Sequence, residues 1–372
     1  MYHLIFVVKI KNIMTICILG NNLTALTLAK ALTNQNIYVD ILFNKKKLDI
    51  SKTRTIGITK SNIDFLNENV ICIKKLLWKL KEIEIYSDNL KEEKLIHFEK
   101  NDEQIFSIIK NHKFYQLLKN NLSKNRYFKS KSVSLKNLTF INEYDFIINC
   151  ESSNIVTRKF FSKKLLKEYD SKAYTTLITH EKIQNDVAVQ IFTSRGPLAF
   201  LPVSDTQTSI VYSIPNSIAE TNENIEKLIK EKNKKYKIKN IEKLNNFKLK
   251  FLNLRSYYHK NILSFGDTLH TIHPLAGQGF NMTIRDLKIL LKIIKEKIDV
   301  GLPLDKSINV EFQNKAKHKN LIFSYSIDMI HKLFNFEKKT KSKFLSKSIQ
   351  FVLKQPHINK AFSKIADKGA IF

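Results

Sequence analysis

Glycine is the first scarcity: the 372-residue chain has eight, where average usage of roughly 7% would give about 26. Its placement therefore carries information. Cysteine is scarcer still. Cys17, Cys72 and Cys150 are odd in number and far apart, with no CxxC pair and no histidine at zinc spacing. Neither a disulfide scaffold nor a metal site is indicated, and a reducing, cytoplasmic setting fits. Long apolar runs are missing too. The early run Leu4 to Val8 is followed by Lys9 and Lys11, far short of a signal segment or a membrane span. A strand begins directly after Met14, so residues 1–13 read as an upstream extension. There is no internal repeat or low-complexity linker, and no Ser/His/Asp, HExxH or Walker pattern.

What is present suffices for a full core. With 43% hydrophobic and 26% charged residues, disorder is excluded, and the length suits two intimately joined domains or one large one. The charge is lopsided: 63 basic against 34 acidic residues, a formal +29. That balance raises the class of basic surface-binding proteins, whose mark is salt-sensitive binding to nucleic acid. The basic residues are nearly all lysine, however, and are scattered over almost every expected helix. Stacking on bases needs them gathered with aromatics in one stripe. Compositional drift explains the excess better, and nucleic acid is not the expected partner.

Along the chain, Thr15–Leu19 is an apolar β-branched run ending at Gly20. Leu23, Leu26, Leu28, Ala29 and Leu32 then fit one face of a helix, and residues 37–43 form a second buried strand. Strand, tight turn, helix, strand is the opening of a parallel sheet. Residues 144–150 read as a further strand. Three alternating runs, 187–193, 198–203 and 209–214, read as antiparallel strands. Residues 222–248 are Lys-rich and read as roughly helical, 261–265 as a buried strand, and 286–298 and 303–372 as helices.

Four of the glycines mark strand ends and helix starts: Gly20, Gly266, and the pair Gly277 and Gly279 in Pro274-Leu-Ala-Gly-Gln-Gly-Phe-Asn281. Glycine where a strand yields to a helix lets backbone approach a ligand and aims free N–H groups at it. The stretch from Ile262 through Gly266-Asp267 to Asn281 and Arg285-Asp286 resembles the second flavin-binding motif of flavin-dependent aromatic monooxygenases. It is most similar to the ubiquinone-biosynthesis hydroxylases that oxidise polyprenylated phenols. The resemblance extends over the chain from Met14: Thr53–Thr59 with Arg54, the segment 106–118 taken as the helix carrying Gln116, 144–158, and 190–202.

The resemblance implies an α/β fold, with a parallel-sheet FAD-binding domain (14–68, 105–165, 255–302) interleaved with an antiparallel-sheet substrate domain (69–104, 166–254) and a helical C-terminal tail (303–372). It implies FAD as cofactor, NAD(P)H or another electron donor, and O2 as co-substrate, with no protein nucleophile. The substrate would be a polyprenylated phenol or quinone precursor, with other ubiquinone-synthesis enzymes as partners. The implied cofactor set is Gly20, Asn22, Arg54, Gln116, Gly266, Asp267, Pro274, Gly277, Gln278, Gly279, Phe280 and Asn281. Asp267 would accept hydrogen bonds from ribityl hydroxyls, and the 277–281 turn would stabilise reduced flavin. His270 and His273 read as packing or flavin-proximal groups. The basic amphipathic stretch 338–353 marks a candidate peripheral contact with the inner membrane.

Three departures bear on the ADP end. The opening GxGxxG is Gly20-Asn-Asn-Leu-Thr-Ala25, with Asn22 in place of the second glycine. No carboxylate ends the second strand, where Phe43 stands. The middle motif has Glu151-Ser152 in place of Asp-Gly. Weak FAD retention is the consequence, and an FAD-poor family member serving as a structural subunit is the alternative function.

Overall fold

The computed structural model describes residues 15–44, 51–90, 93–99, 106–134, 138–218, 222–274, 277–340 and 344–353, with positions 355, 357, 364 and 367. The extension 1–13, Leu275 and Ala276 of the glycine motif, and most of the tail beyond Leu353 lie outside these.

The first sheet has six strands in the order 258–259, 262–264, 146–149, 15–19, 38–43 and 128–132. All neighbours are parallel except the first pair, a short hairpin. Ile16, Cys17, Ile18 and Leu19 are fully buried, as a continuous apolar strand covered on both faces must be. Helices α1 (Leu23–Thr33), α2 (Lys60–Asn69), α3 (Asn111–Leu122), α4 (Ile155–Phe160), α5 (Asn222–Lys232), α6 (Gln278–Asp299), α7 (Ser307–Thr340) and α8 (Phe344–Leu353) follow in chain order. The largest core joins this sheet to α1, α3 and α6 through Leu28, Leu32, Phe114, Leu118, Leu287 and Ile294.

The second sheet has nine strands and is antiparallel except where 187–193 runs parallel to 82–87. Its α5 face carries Tyr174, Ile178, Phe200 and Tyr212 against Ile225 and Ile229. A small third sheet, 55–59, 106–110 and 78–80, packs Leu80, Phe106 and Ile108 on Ala188 and Leu201 of the large one. The expected architecture is therefore the observed one: a parallel sheet, an antiparallel sheet interleaved with it, and helices towards the C-terminus.

Two local expectations are corrected. Residues 222–248 are helical only to Lys232. Asn233 then turns the chain, its Oδ1 accepting from the N–H groups of Lys235 and Tyr236, and 238–241 and 245–254 are strands. Residues 106–118 do not begin as a helix: Phe106–Lys110 pairs with strands on both sides before α3 starts. The 17-residue strand Lys164–His180, the backbone of the large sheet, was not read from the sequence, because its first half mixes Lys164, Lys167, Glu168 and Asp170 with leucine and has no buried run.

Gly57 lies in the middle of the 55–59 strand, where a Cβ would run into the Phe106 ring. Gly57→Ala is expected to cost about 1–3 kcal/mol by overpacking, measured by urea unfolding. Most of this should return in Gly57→Ala/Phe106→Leu; a neutral single variant would contradict the packing.

Candidate functional site

The α6 N-terminus is built by glycine and held by asparagine. Gly277 caps the helix in the left-handed region, φ 62° and ψ 26°, a conformation that disfavours any residue with a Cβ. Its N–H reaches back to the Pro274 carbonyl at 3.4 Å. Asn281, wholly buried, spends its amide on the neighbouring strand: Nδ2 donates to the Gly57 carbonyl (3.0 Å) and the Gly277 carbonyl (3.3 Å), and Oδ1 accepts from Thr59 N–H (3.1 Å) and Asn62 Nδ2 (2.9 Å). One side chain thus fastens the start of α6 to the 55–59 strand and α2.

Beside this fastening the surface is open. A Cβ added at Gly279 would meet nothing within 4 Å. Gln278 is 5% exposed, and its Oε1 has no hydrogen-bond partner. An open cradle in the first turn, an unpartnered amide oxygen and the unpaired N–H groups of a 22-residue helix form a seat for an anionic or hydrogen-bonding group. The isoalloxazine end of a flavin fits that description. Phe280 meets Phe114 of α3 edge-on, with ring centroids 6.2 Å apart.

Around the start of α1, further candidates converge. Gly266 has φ 69° and packs on Thr24 of α1, which a Cβ there would strike at 2.7 Å. Asp267 follows, exposed, its carbonyl accepting from the Thr271 hydroxyl. Gly20 has φ 114° and lies against Glu151. The α1 N-terminus is closed from within: Asn22 Oδ1 accepts from Ala25 N–H at 3.0 Å, and its Nδ2 donates to the Cys150 carbonyl at 2.6 Å. The Tyr115 hydroxyl donates to Asn21 at 3.2 Å, and Gln116, next on α3, is exposed. Ala25 N–H, which would face a pyrophosphate, already has its acceptor, so the ADP end fits the cofactor poorly. Arg54 sits apart, exposed, its guanidinium 6.0 Å from the centre of the Phe247 ring on the large sheet.

The buried polar groups behind the motif were largely missed from sequence. His270 Nε2 meets Asp286 Oδ2 at 2.6 Å, and Asn320 of α7 donates to Asp286 Oδ1 at 2.9 Å. His273, 1% exposed, stacks on His331 of α7 with ring centroids 4.2 Å apart, and neither of its ring nitrogens has a partner. Tyr169 touches both rings edge-on and donates its hydroxyl to Asp328, which also binds Lys167 and Lys332. The Arg285 guanidinium lies 4.2 Å from the centre of the Phe323 ring, and burial lowers its pKa to about 10. The motif supplied His270, His273, Arg285 and Asp286; nothing in the sequence pointed to their α7 partners.

No protein-family model matches the chain. It is 25% identical over 232 residues to the ubiquinone biosynthesis monooxygenase COQ6 of Drosophila melanogaster, covering 51% of this chain and 49% of that one. It is 28% identical over 175 residues to the 3-demethoxyubiquinol 3-hydroxylase of Escherichia coli, covering 45% of each. The chain thus spans about half the length of the curated relatives it matches. Among solved structures, p-nitrophenol 4-monooxygenase PnpA of Pseudomonas putida superposes with a TM-score of 0.77 over 96% of this chain and 100% of that one, at 11% identity. Klebsiella pneumoniae HpxO, solved with FAD and uric acid, gives 0.71 over 95% and 96% at 10% identity. The fold is that of these oxygenases, and the sequence is related to the ubiquinone hydroxylases.

Asn281→Ala is expected to destabilise the protein by about 2–4 kcal/mol, since buried partners lose their bonds, as read by chemical unfolding. The two stacked imidazoles make a second prediction. Burial first, then His331, holds His273 well below the usual histidine pKa; burial first, then Lys167, lowers His331 to about 4, with Asp328 opposing in both. Their neutral forms therefore stabilise the fold fully above pH about 6.5, and that stability is lost as pH falls towards 4, because the unfolded chain takes up the protons. His273→Leu/His331→Leu should flatten this part of the stability profile; an unchanged slope would contradict it.

Proposed function

We propose that this chain, a relative of the ubiquinone-biosynthesis hydroxylases, is an FAD-dependent monooxygenase that hydroxylates the aromatic ring of a polyprenylated phenol. The observation that carries the reading is the open, glycine-lined N-terminus of α6, fastened by Asn281 against the 55–59 strand. The names of its relatives, a ubiquinone biosynthesis monooxygenase and a 3-demethoxyubiquinol 3-hydroxylase, support the substrate class. When bound, FAD supplies the redox chemistry, accepting electrons from NAD(P)H or another donor and activating O2 for transfer of one oxygen atom to the ring.

The protein's part is orientation and charge. The N–H groups of Gly279 and its neighbours would offset negative charge on the flavin ring system. The exposed Asp267 carboxylate would accept from the ribityl chain. No described helix is long and apolar enough to cross a membrane, and a peripheral inner-membrane setting accords with a lipid-borne substrate. Assembly with other ubiquinone-synthesis enzymes belongs to the same reading. A second reading, an FAD-poor structural subunit of such an assembly, is favoured by one observation: Asn22 occupies the α1 N-terminus.

The test is complementation of a hydroxylase-deficient strain together with flavin analysis. Restored quinone synthesis and loss of the accumulated precursor are expected; failure of both, with no visible flavin spectrum in excess FAD, would leave the structural-subunit reading. Asn22→Gly frees Ala25 N–H at a cost of a few tenths of a kcal/mol in capping and about 1 kcal/mol for the lost bond to the Cys150 carbonyl. It should tighten FAD binding roughly tenfold, read by flavin fluorescence quenching. Unchanged or weaker binding would refute the competition between Asn22 and phosphate.

A further inference from the structure

The two faces of the large sheet have different neighbours. On one, Leu80, Phe106 and Ile108 of the small sheet pack on Ala188 and Leu201, and Gly57 of that small sheet lies against Gly277 at the start of α6. Successive strand residues point to opposite faces, so Val189, Ile191 and Phe200 turn away from the flavin seat, towards α5. There they floor a cavity of about 560 Å³, within the range of roughly 300–1,000 Å³ usual for small-molecule sites. Tyr86 and Tyr236 wall it. Their hydroxyls are committed, Tyr86 to Glu84 at 2.9 Å and Tyr236 to Asn185 at 3.0 Å, so each offers a ligand its ring. Phe200 and Tyr236 already lie stacked, with centroids 5.9 Å apart.

Charge defines what the cavity accepts. At its rim Lys232 holds Asp88 through both carboxylate oxygens at 2.9 Å, and Lys94 holds Glu84. Lys235 lines the same rim. Among the described residues it forms no ion pair, and its ammonium stands 5.7 Å from the centre of the Tyr236 ring. The other carboxylates that act on it, Asp186 and Glu82, have partners in Gln184 and Lys81 and in His97. The turn that carries it is fixed, since Asn233 accepts from the N–H groups of Lys235 and Tyr236. An apolar floor, two aromatic walls and an uncommitted cation are therefore in place before any ligand arrives. An amine would be repelled by that cation, and an uncharged ring would leave it unused. We propose that this face of the large sheet binds a small aromatic carboxylate, its ring against Tyr236 and Phe200 and its carboxylate on the Lys235 ammonium.

This site lies across the sheet from the flavin seat and does not depend on the hydroxylase reading. Binding of 2-naphthoate, and of its uncharged amide 2-naphthamide, is measured by titration calorimetry on the full-length protein in excess FAD. Naphthoate is expected to bind with a Kd on the order of 0.1 mM. The amide should bind about fivefold more weakly, because it forgoes the charge-assisted contact at a part-exposed lysine. Lys235→Met should bring naphthoate to the level of the amide and leave the amide unchanged. Ile191→Trp, which fills the cavity, should weaken both at least tenfold, with Ile191→Phe between it and the unaltered protein. Far-UV circular dichroism checks the fold of each variant, and the graded Phe substitution keeps the test open where Trp is not tolerated. The proposal is overturned if the unaltered protein takes up no naphthoate, if the amide binds as tightly as the acid, or if folded Ile191 variants bind both compounds as the unaltered protein does, which would put the ring in the flavin crevice instead.

Discussion

The position of the α6 N-terminus depends on the amide of Asn281. One donor and its acceptor are used on groups far away in sequence, the Gly57 carbonyl, the Thr59 backbone N–H and the Asn62 side-chain amide, while the other donor meets the helix's own Gly277. The partial positive charge of a helix end is effective only within about its first turn. Displacing this end by a few ångströms would remove it from whatever lies against the 55–59 strand. The sequence resemblance had assigned Asn281 to the cofactor; its geometry makes it the clamp that fixes the place where a cofactor would sit.

The N-termini of α1 and α6 are finished in opposite ways. At α6 the first turn offers an open cradle at Gly279. At α1 the side chain of Asn22 takes the Ala25 N–H and bridges to the end of the 146–149 strand. Glu151 packs its Cβ against Gly20 while its carboxylate accepts from the Ser153 N–H and hydroxyl. A cofactor spanning both ends would be gripped at its ring system and held loosely at its nucleotide. In a chain with eight glycines, spending one at position 279 while replacing that at 22 is an uneven distribution of backbone access.

Where local pattern decides structure, the sequence was readable. The runs 15–19 and 262–264 are buried strands, and the alternating run 187–193 a partly buried one, because a sheet accommodates short β-branched apolar runs bounded by turn residues. The glycine motif was legible for the same reason. What could not be read depends on distant partners. Lys164–His180 is a strand because two long neighbours pair with it along its length, overriding a lysine-rich first half. His273 meets His331, and Asp286 meets Asn320, only because α7 returns across the molecule; no spacing within the motif encodes that. Asn22 was legible as a departure, but its role as a cap required the Ala25 N–H to be seen bound.

Helix α7 carries much of the packing that ties the fold together. Its inner residues at 320, 323, 324, 328, 331 and 334 meet α6, the motif and both ends of the large sheet in turn. Arg285 explains one of these choices. In a chain that otherwise favours lysine, a planar guanidinium stands over the Phe323 ring, 4.2 Å from its centre, a place a compact ammonium fills less well. Tyr325, though half exposed, still meets Phe251 of the large sheet with ring centroids 5.3 Å apart, and Lys317 reaches the Arg255 carbonyl, so the packing demands on α7 extend beyond that inner face.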